Sequence, residues 1–430
     1  MKQGIVSRKS RDKGLMETNT NSGFAQGELS KRKKSRLYIF AAFFVLYEAT
    51  TYAANDMIMP GMLEIVNKFN AGLNYVASSL SIFILGNTII QLFIGPASDR
   101  YGKRVVLLIG NACFVVFTIL IVFTENIGQF LACRFLQGSC IAFVAIGYAM
   151  IHENFEDKSA VKLIALMGNV TIMAPLIGPV IGGLIIHTAG WHAVFIVLAV
   201  TALISLSGLI KYAPKKKNTI EKIDVQSLIK SYLLILKERM FLLGAASICL
   251  TTIPIMGWIG LAPVLIMDFA KLGFREYIIF QIIALGGLML SSVIMQVIAG
   301  AHSFFRIMTT GNVMIALGIF WSFIFSWNPL LVAIGFFIYS FGLGLYNGMV
   351  WRILISDMKH SKSLTISLLV FLQTIAMATG VEIVNLICEK FGFSFFVFSL
   401  PNLLCMIIGS AFIYFFTKMN KNRQWKEATH

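Results

Sequence analysis

The sequence predicts an all-α polytopic membrane protein, with twelve transmembrane helices in two six-helix bundles. Three observations carry that prediction. Hydrophobic residues make up 57% of the 430 residues and charged residues 13%, with a mean hydropathy of +0.79. A water-soluble chain usually carries about a quarter charged residues. The charges are also clustered. Leu163–Ile210 and Ile307–Trp351, 48 and 45 residues long, contain no Asp, Glu, Lys or Arg, and each can hold two crossings of about 20 residues. Finally, 31 of the 36 Lys and Arg fall in the tails and one alternating set of loops, whereas the other set holds only Lys68, Lys271, Arg275 and Lys390. That asymmetry places both termini and the central linker in the cytoplasm. It accounts for the net charge of +16 without nucleic acid as a partner.

The charge breaks delimit the elements in order. A basic tail, 1–36, ends in KRKKSR before the first span; it is expected to be disordered and to touch anionic lipid headgroups. Six spans follow, at 37–60, 74–97, 104–124, 127–151, 161–186 and 191–212, the last two sharing the first charge-free stretch. A polar linker, 213–240, carries Pro214 and the run Lys215, Lys216, Lys217. The second six are 241–267, 276–300, 306–326, 329–351, 364–388 and 393–417, before a tail at 418–430. The domains are thus 37–212 and 241–417. The tail of residues 1–36 has no apolar core, so it does not read as a signal peptide.

This 6+6 division is the signature of transporters that bind substrate between two related bundles near the bilayer midplane. A membrane-embedded enzyme would need a catalytic set such as HExxH or clustered histidines. His152, His187, His192, His302, His360 and His430 lie at loops, span ends or the tail, so an enzyme is not expected. The six cysteines all lie in apolar segments and form no CxxC or disulfide pattern. No GxxxxGK[ST] phosphate loop is present, so no cofactor is expected beyond protons as coupling ion, and no metal site.

Ionisable groups inside a span cost several kcal/mol and are retained mainly where they line a cavity or pair. The first span holds two, Glu48 and Asp56, in LYEATTYAANDMIMPG. Eight residues separate them by about 12 Å along a helix and about 80° around it. Tyr52 sits halfway, flanked by Thr51 and Asn55, making a stripe suited to binding protons and cations if it faces a wet cavity. Alternatively, one acid is a buried structural partner and the other interfacial. Arg134, in the fourth span, comes at a depth between the two acids, where its permanent charge would tune their proton exchange or form a static pair. Glu382, in ATGVEIVN of the eleventh span, is a possible second acidic site. It would supply either a further cation site or only a hydrogen bond to a neighbouring helix.

Two motifs carry further information. APLIGPVIGG at 174–183 places Ala174, Gly178 and Gly182 on one close-packing face, with Pro175 and Pro179 bending the rod. GPASDRYGKR at 95–104 combines Gly95, Asp99 and a reversal at Gly102 with the basic cluster Arg100, Lys103 and Arg104.

With RFLQG at Arg134–Gly138, these motifs resemble the major facilitator superfamily over nearly the whole chain. Gly95–Arg104 looks like that superfamily's loop between helices 2 and 3, and Ala174–Gly183 like the helix-5 motif of drug/proton antiporters. YEATTYAANDMIMPGM is similar to the first helix of the MdfA-type multidrug antiporters of the Bcr/CflA branch. The resemblance implies a major facilitator fold in a bacterial inner membrane, exporting lipophilic cationic or neutral drugs by alternating access in exchange for protons, with antibiotic resistance as the outcome. It implies proton coupling at Glu48, Asp56 and Arg134, and cargo contacts at Tyr52, Asn55, Asp56 and Asn169. The Gly95–Arg104 motif would brace the cytoplasmic side, and the kinked fifth helix would restrict proton leak. The protein is expected to work as a monomer on small molecules. Two other readings remain: a dedicated exporter of one metabolite such as a siderophore or sugar, and a non-transporting membrane sensor or scaffold. A scaffold gains nothing from keeping Glu48, Asp56 and Arg134 together.

Overall fold

The computed structural model describes residues 34–215, 225–298, 304–356 and 362–428. Lys216, Lys217 and residues 1–33 of the basic tail lie outside the described residues. Helix α1 spans 34–56 and passes through a 3-10 turn at Met59–Gly61 into α2 (Met62–Lys68). Then come α3 (Asn74–Tyr101), α4 (Lys103–Val122), α5 (Ile127–Ser139), α6 (Val144–Asn154), α7 (Asp157–Ala189) and α8 (Trp191–Tyr212). A short helix, α9 (Val225–Ile235), lies in the linker. The second half holds α10 (Arg239–Pro263), α11 (Phe274–Ile298), α12 (Phe304–Ile324), α13 (Pro329–Ser356), α14 (Lys362–Phe391) and α15 (Phe395–Ala428).

Among the described residues, 11 helical stretches are long and apolar enough to cross a membrane, and α7, bent by 49°, makes a twelfth. Their outward faces are apolar, with Phe93, Ile109, Val116, Phe123, Leu203 and Phe415 all exposed. In water such a surface would be prohibitive; in lipid it is the expected exterior.

Local chemistry sets the element ends. Asn126 accepts a hydrogen bond from the Gln129 amide at 2.9 Å, capping the start of α5. Gly102, at φ 94°, makes the one-residue reversal between α3 and α4, a backbone conformation that a side chain would strain. Basic residues then knit the end of the molecule that bears the termini. Arg36 donates to the Lys211 carbonyl at 2.7 Å, Lys34 pairs with Glu156 at 3.1 Å, Lys103 pairs with Glu153 and Arg104 donates to the Ile210 carbonyl. These contacts all lie within the first bundle.

The first bundle packs α3 on α5, α4 on α5 and α8, and α7 on α8; the second packs α12 on α13 and α15, α11 on α13, and α10 on α15. The halves meet through α3 with α14, α3 with α10, and α7 with α11. These meetings lie at the end opposite the termini. There Gly260 of α10 faces Leu80 and Ala77 of α3, and Gly183 of α7 faces the Phe274 ring of α11. At the terminal end, Asp99 is exposed and a Cβ at Gly95 would find nothing within 4 Å. The Gly95–Arg104 segment is helical except for the reversal at Gly102.

Candidate proton and cargo site

Two prolines decide where the site forms. A proline ring collides with the carbonyl four residues earlier in a continuing helix. Pro60 follows Asp56 by four residues, and α1 stops at Asp56. Pro175 follows Thr171 by four, and α7 breaks between Thr171 and Met173. The small-residue face of α7 then lets the end of α1 approach closely. A Cβ at Gly182 would sit 1.9 Å from the Met57 carbonyl oxygen, and one at Gly178 would sit 2.8 Å from the Asp56 Cβ. The glycines therefore seat Asp56 directly against α7.

Both acids face inward. Glu48 is 0% exposed and Asp56 4%, so neither is turned to lipid. One Glu48 oxygen, Oε1, accepts from the Tyr148 hydroxyl of α6 at 2.6 Å and from the Thr171 hydroxyl of α7 at 3.4 Å. The other, Oε2, is buried without a hydrogen-bond partner. Asp56 Oδ1 accepts from the Asn55 amide at 3.2 Å. Tyr52 is half-buried between the acids on the same helix.

Arg134 is fully buried but is not locked to either acid. Among the described residues, the ion pairs within 4.0 Å include neither Glu48, Asp56 nor Arg134. The guanidinium donates to Gln137 Oε1 at 2.7 Å, the Ala54 carbonyl at 3.1 Å, Ser79 Oγ at 3.3 Å and Asn55 Oδ1 at 3.4 Å. It also lies 4.1 Å from the centre of the Phe83 ring, a favourable cation–π placement. Gln137 is held in turn by Thr118 at 2.8 Å. Asn55 thus stands between cation and acid, accepting from Arg134 with its oxygen and donating to Asp56 with its nitrogen.

Among the other residues singled out by sequence, Asn169 is exposed on α7 and makes none of the contacts that join Glu48, Asp56 and Arg134. Glu382 lies elsewhere, in the seam between α3 and α14. Among the described residues no group of three His, Cys, Asp or Glu could hold a metal ion.

Sequence reasoning passed over two buried polar residues of the second bundle. Tyr277 and Gln281 of α11 are both buried, and the Tyr277 hydroxyl and Gln281 Nε2 have no partner. Gln281 is oriented by Trp258, whose indole N–H donates to its oxygen at 2.9 Å. The Tyr277 hydroxyl lies within electrostatic reach of the Asp56 carboxylate. Buried polar groups are nearly always satisfied, and these two unsatisfied donors lie one turn apart on α11. The available signal was their i, i+4 spacing in FREYIIFQ, the spacing that also separates Glu48, Tyr52 and Asp56.

Comparison with known proteins gives a consistent result. The sequence pattern described as Major Facilitator Superfamily matches residues 44–381. The chain is 34% identical over 351 residues to the multidrug transporter MdfA of Escherichia coli O6:H1, covering 80% of this chain and 86% of that one. It is 34% identical over 357 residues to the multidrug transporter MdfA of Yersinia pestis bv. Antiqua, covering 81% and 87%. Among solved structures, a bacterial homolog to the human lysosomal transporter Spinster, in an inward-facing and unoccupied conformation, superposes with a TM-score of 0.71 at 12% identity. It covers 89% of this chain and 97% of that one. A D-xylose-proton symporter superposes with a TM-score of 0.67 at 17% identity, covering 86% and 97%. At those identities the structural likenesses speak to the fold alone.

Proposed function

The chain belongs to the Major Facilitator Superfamily, a family of transporters rather than enzymes, and on that premise we propose that it is a proton-coupled exporter of lipophilic cationic or neutral drugs. Its relatives named multidrug transporters support the cargo class. The observation that carries the mechanism is a pair of membrane-depth acids, buried away from lipid, that make no ion pair within 4.0 Å among the described residues and leave one oxygen unpartnered. A static structural pair would have joined Arg134 to an acid directly.

In the proposed cycle, Asp56 and Glu48 load protons when the site opens to the outside. When it opens to the inside, a drug entering between the bundles displaces them, since two cations are poorly accommodated at one buried site. Tyr148 and Thr171 hold Glu48 by one oxygen, leaving the other for the exchanged proton. Asn55 transmits the fixed charge of Arg134 to Asp56 without neutralising it. Tyr52, Asn55 and Asn169 contact cargo from the first bundle, and Tyr277 and Gln281 supply hydrogen bonds from the second. The bundles rock about this site, with the Gly95–Arg104 loop bracing the terminal end in the opposite state. Protons are the only coupling species and no cofactor takes part. We place the protein in a bacterial inner membrane as a monomer, both termini and the linker cytoplasmic, because the basic residues gather at that end.

Everted membrane vesicles with an acid interior test this reading. Adding tetraphenylphosphonium should release interior protons with the wild-type protein and not with Asp56→Asn combined with Glu48→Gln. An unchanged response in the double variant would refute the coupling assignment.

A further inference from the structure

Three connections of the second bundle meet at the end opposite the termini: the stretch after α10, the turn between α12 and α13, and the turn between α14 and α15. Beyond Pro263, α10 runs on as a π-helical turn, Val264–Phe269. Phe269, Trp327, Phe395 and Phe396, with Ser326 and Ser394, line a cavity of about 550 Å³ there. Small-molecule pockets run from about 300 to 1,000 Å³, so this one has room for a drug-sized ligand. No ionisable side chain lines it, and every lining residue belongs to the second bundle. It shares no residue with the contacts around Glu48, Asp56 and Arg134.

Aromatic residues gather at both membrane surfaces in any case, but such a belt spreads around the circumference of a protein. Here the rings are set as walls of one space. The Phe269 and Phe395 rings meet edge to face at 6.3 Å. Phe396 packs on Phe323 at 5.5 Å, and Trp327 stands edge-on to Phe325 at 5.1 Å. Each lining ring is therefore braced by another ring, and little side-chain freedom is lost when a ligand enters. Phe269, Trp327 and Phe396 remain 49, 70 and 52% exposed, which leaves ring surface free for contact.

An aromatic face attracts a cation, Trp most strongly, and the attraction grows as water is excluded. The neighbouring lysines of the chain do not supply that cation. Lys271 pairs with Asp268 at 3.2 Å, Lys390 lies 5.7 Å from the centre of the Phe391 ring, and neither lines the cavity. We infer that this cavity is a second binding site, for lipophilic organic cations, at the outer face of the second bundle. Built from one bundle alone, it stays whole whichever way the central site opens. It has no titratable group, so a cation binds there without displacing a proton. The inference rests on the cargo class proposed above, but not on the exchange at Asp56 and Glu48.

Calorimetry with tetraphenylphosphonium tests it, on full-length protein in lipid nanodiscs with empty discs as the blank. Two sites should be resolved, one with a pH-dependent affinity and one whose affinity changes by less than about twofold per pH unit. Trp327→Leu combined with Phe269→Leu keeps apolar surface while removing two exposed rings. It should lower affinity at the pH-independent site by at least about tenfold and leave the other site as it was. Triphenylphosphine oxide, uncharged and of similar shape, tests the same point in the wild-type protein without any variant. It should bind the pH-independent site at least about tenfold more weakly than tetraphenylphosphonium. A single site in the wild type, a double variant with both affinities intact, or equal binding of the uncharged compound would each overturn the inference. Absence of pH dependence at the other site would refute the exchange reading and leave this one standing.

Discussion

Asn55 is the residue on which the charge arrangement turns. It keeps Arg134 and Asp56 in communication while preventing a direct pair, through bonds of 3.4 and 3.2 Å. Hydrogen bonds to charged groups contribute about 1.5–3 kcal/mol. Asn55→Ala severs both, so the cargo concentration giving half-maximal proton release should rise at least about tenfold. A proton-release titration in vesicles would show it, and an unchanged midpoint would remove Asn55 from the account. Tyr277 makes the opposite kind of prediction. Its hydroxyl is buried without a partner, so Tyr277→Phe should leave the thermal unfolding midpoint unchanged or raise it, the stability gain being up to about 1 kcal/mol. The same change should weaken binding of cargo that carries a hydrogen-bond acceptor. A lower midpoint would mean that the hydroxyl is structural.

At the scale of elements, α7 carries two kinds of information in one helix. Its prolines place a break beside Glu48, and its glycines seat α1. Gly182→Ala would push a methyl onto the Met57 carbonyl, and overpacking of this kind costs about 1–3 kcal/mol. Gly95→Ala meets nothing within 4 Å and lies inside α3, where replacing glycine gains about 0.5–1 kcal/mol. Thermal unfolding in detergent should therefore move in opposite directions for the two variants. If the Gly95–Arg104 loop braces the other state, Gly95→Ala should slow transport despite that gain; equal destabilisation by both variants would contradict the packing described. Charge breaks were enough to find these helices, because a span tolerates few ions and loops carry them. The bend near Thr171 was legible from Pro175 instead, since charge breaks say nothing about an otherwise regular apolar run.

Across the whole molecule, what was legible in the sequence follows the cost of the group concerned. Glu48, Asp56, Arg134 and Glu382 stand out because charge at membrane depth is rare and expensive. Tyr277 and Gln281 do not, since neutral polar residues are common in spans and their significance lies in having no partner, a property of the assembled bundles. The relation between Arg134 and Asp56 was legible as shared depth and not as a bridge through Asn55. Likewise the partner of Glu382 is 304 residues away in the chain, and only the meeting of two bundles brings Ser78 to it.

In the proposed cycle the two-bundle frame matters because it sets the acids of the first bundle against Tyr277 and Gln281 of the second. Its central claim is that protons and drug compete for Asp56 and Glu48. Binding of tetraphenylphosphonium to the purified protein, measured by calorimetry across a series of pH values, tests that claim most directly. For each proton displaced, the affinity should strengthen by up to about tenfold per pH unit, and Asp56→Asn with Glu48→Gln should flatten that dependence. An affinity in the wild-type protein that stays constant across the series would contradict competition at this site.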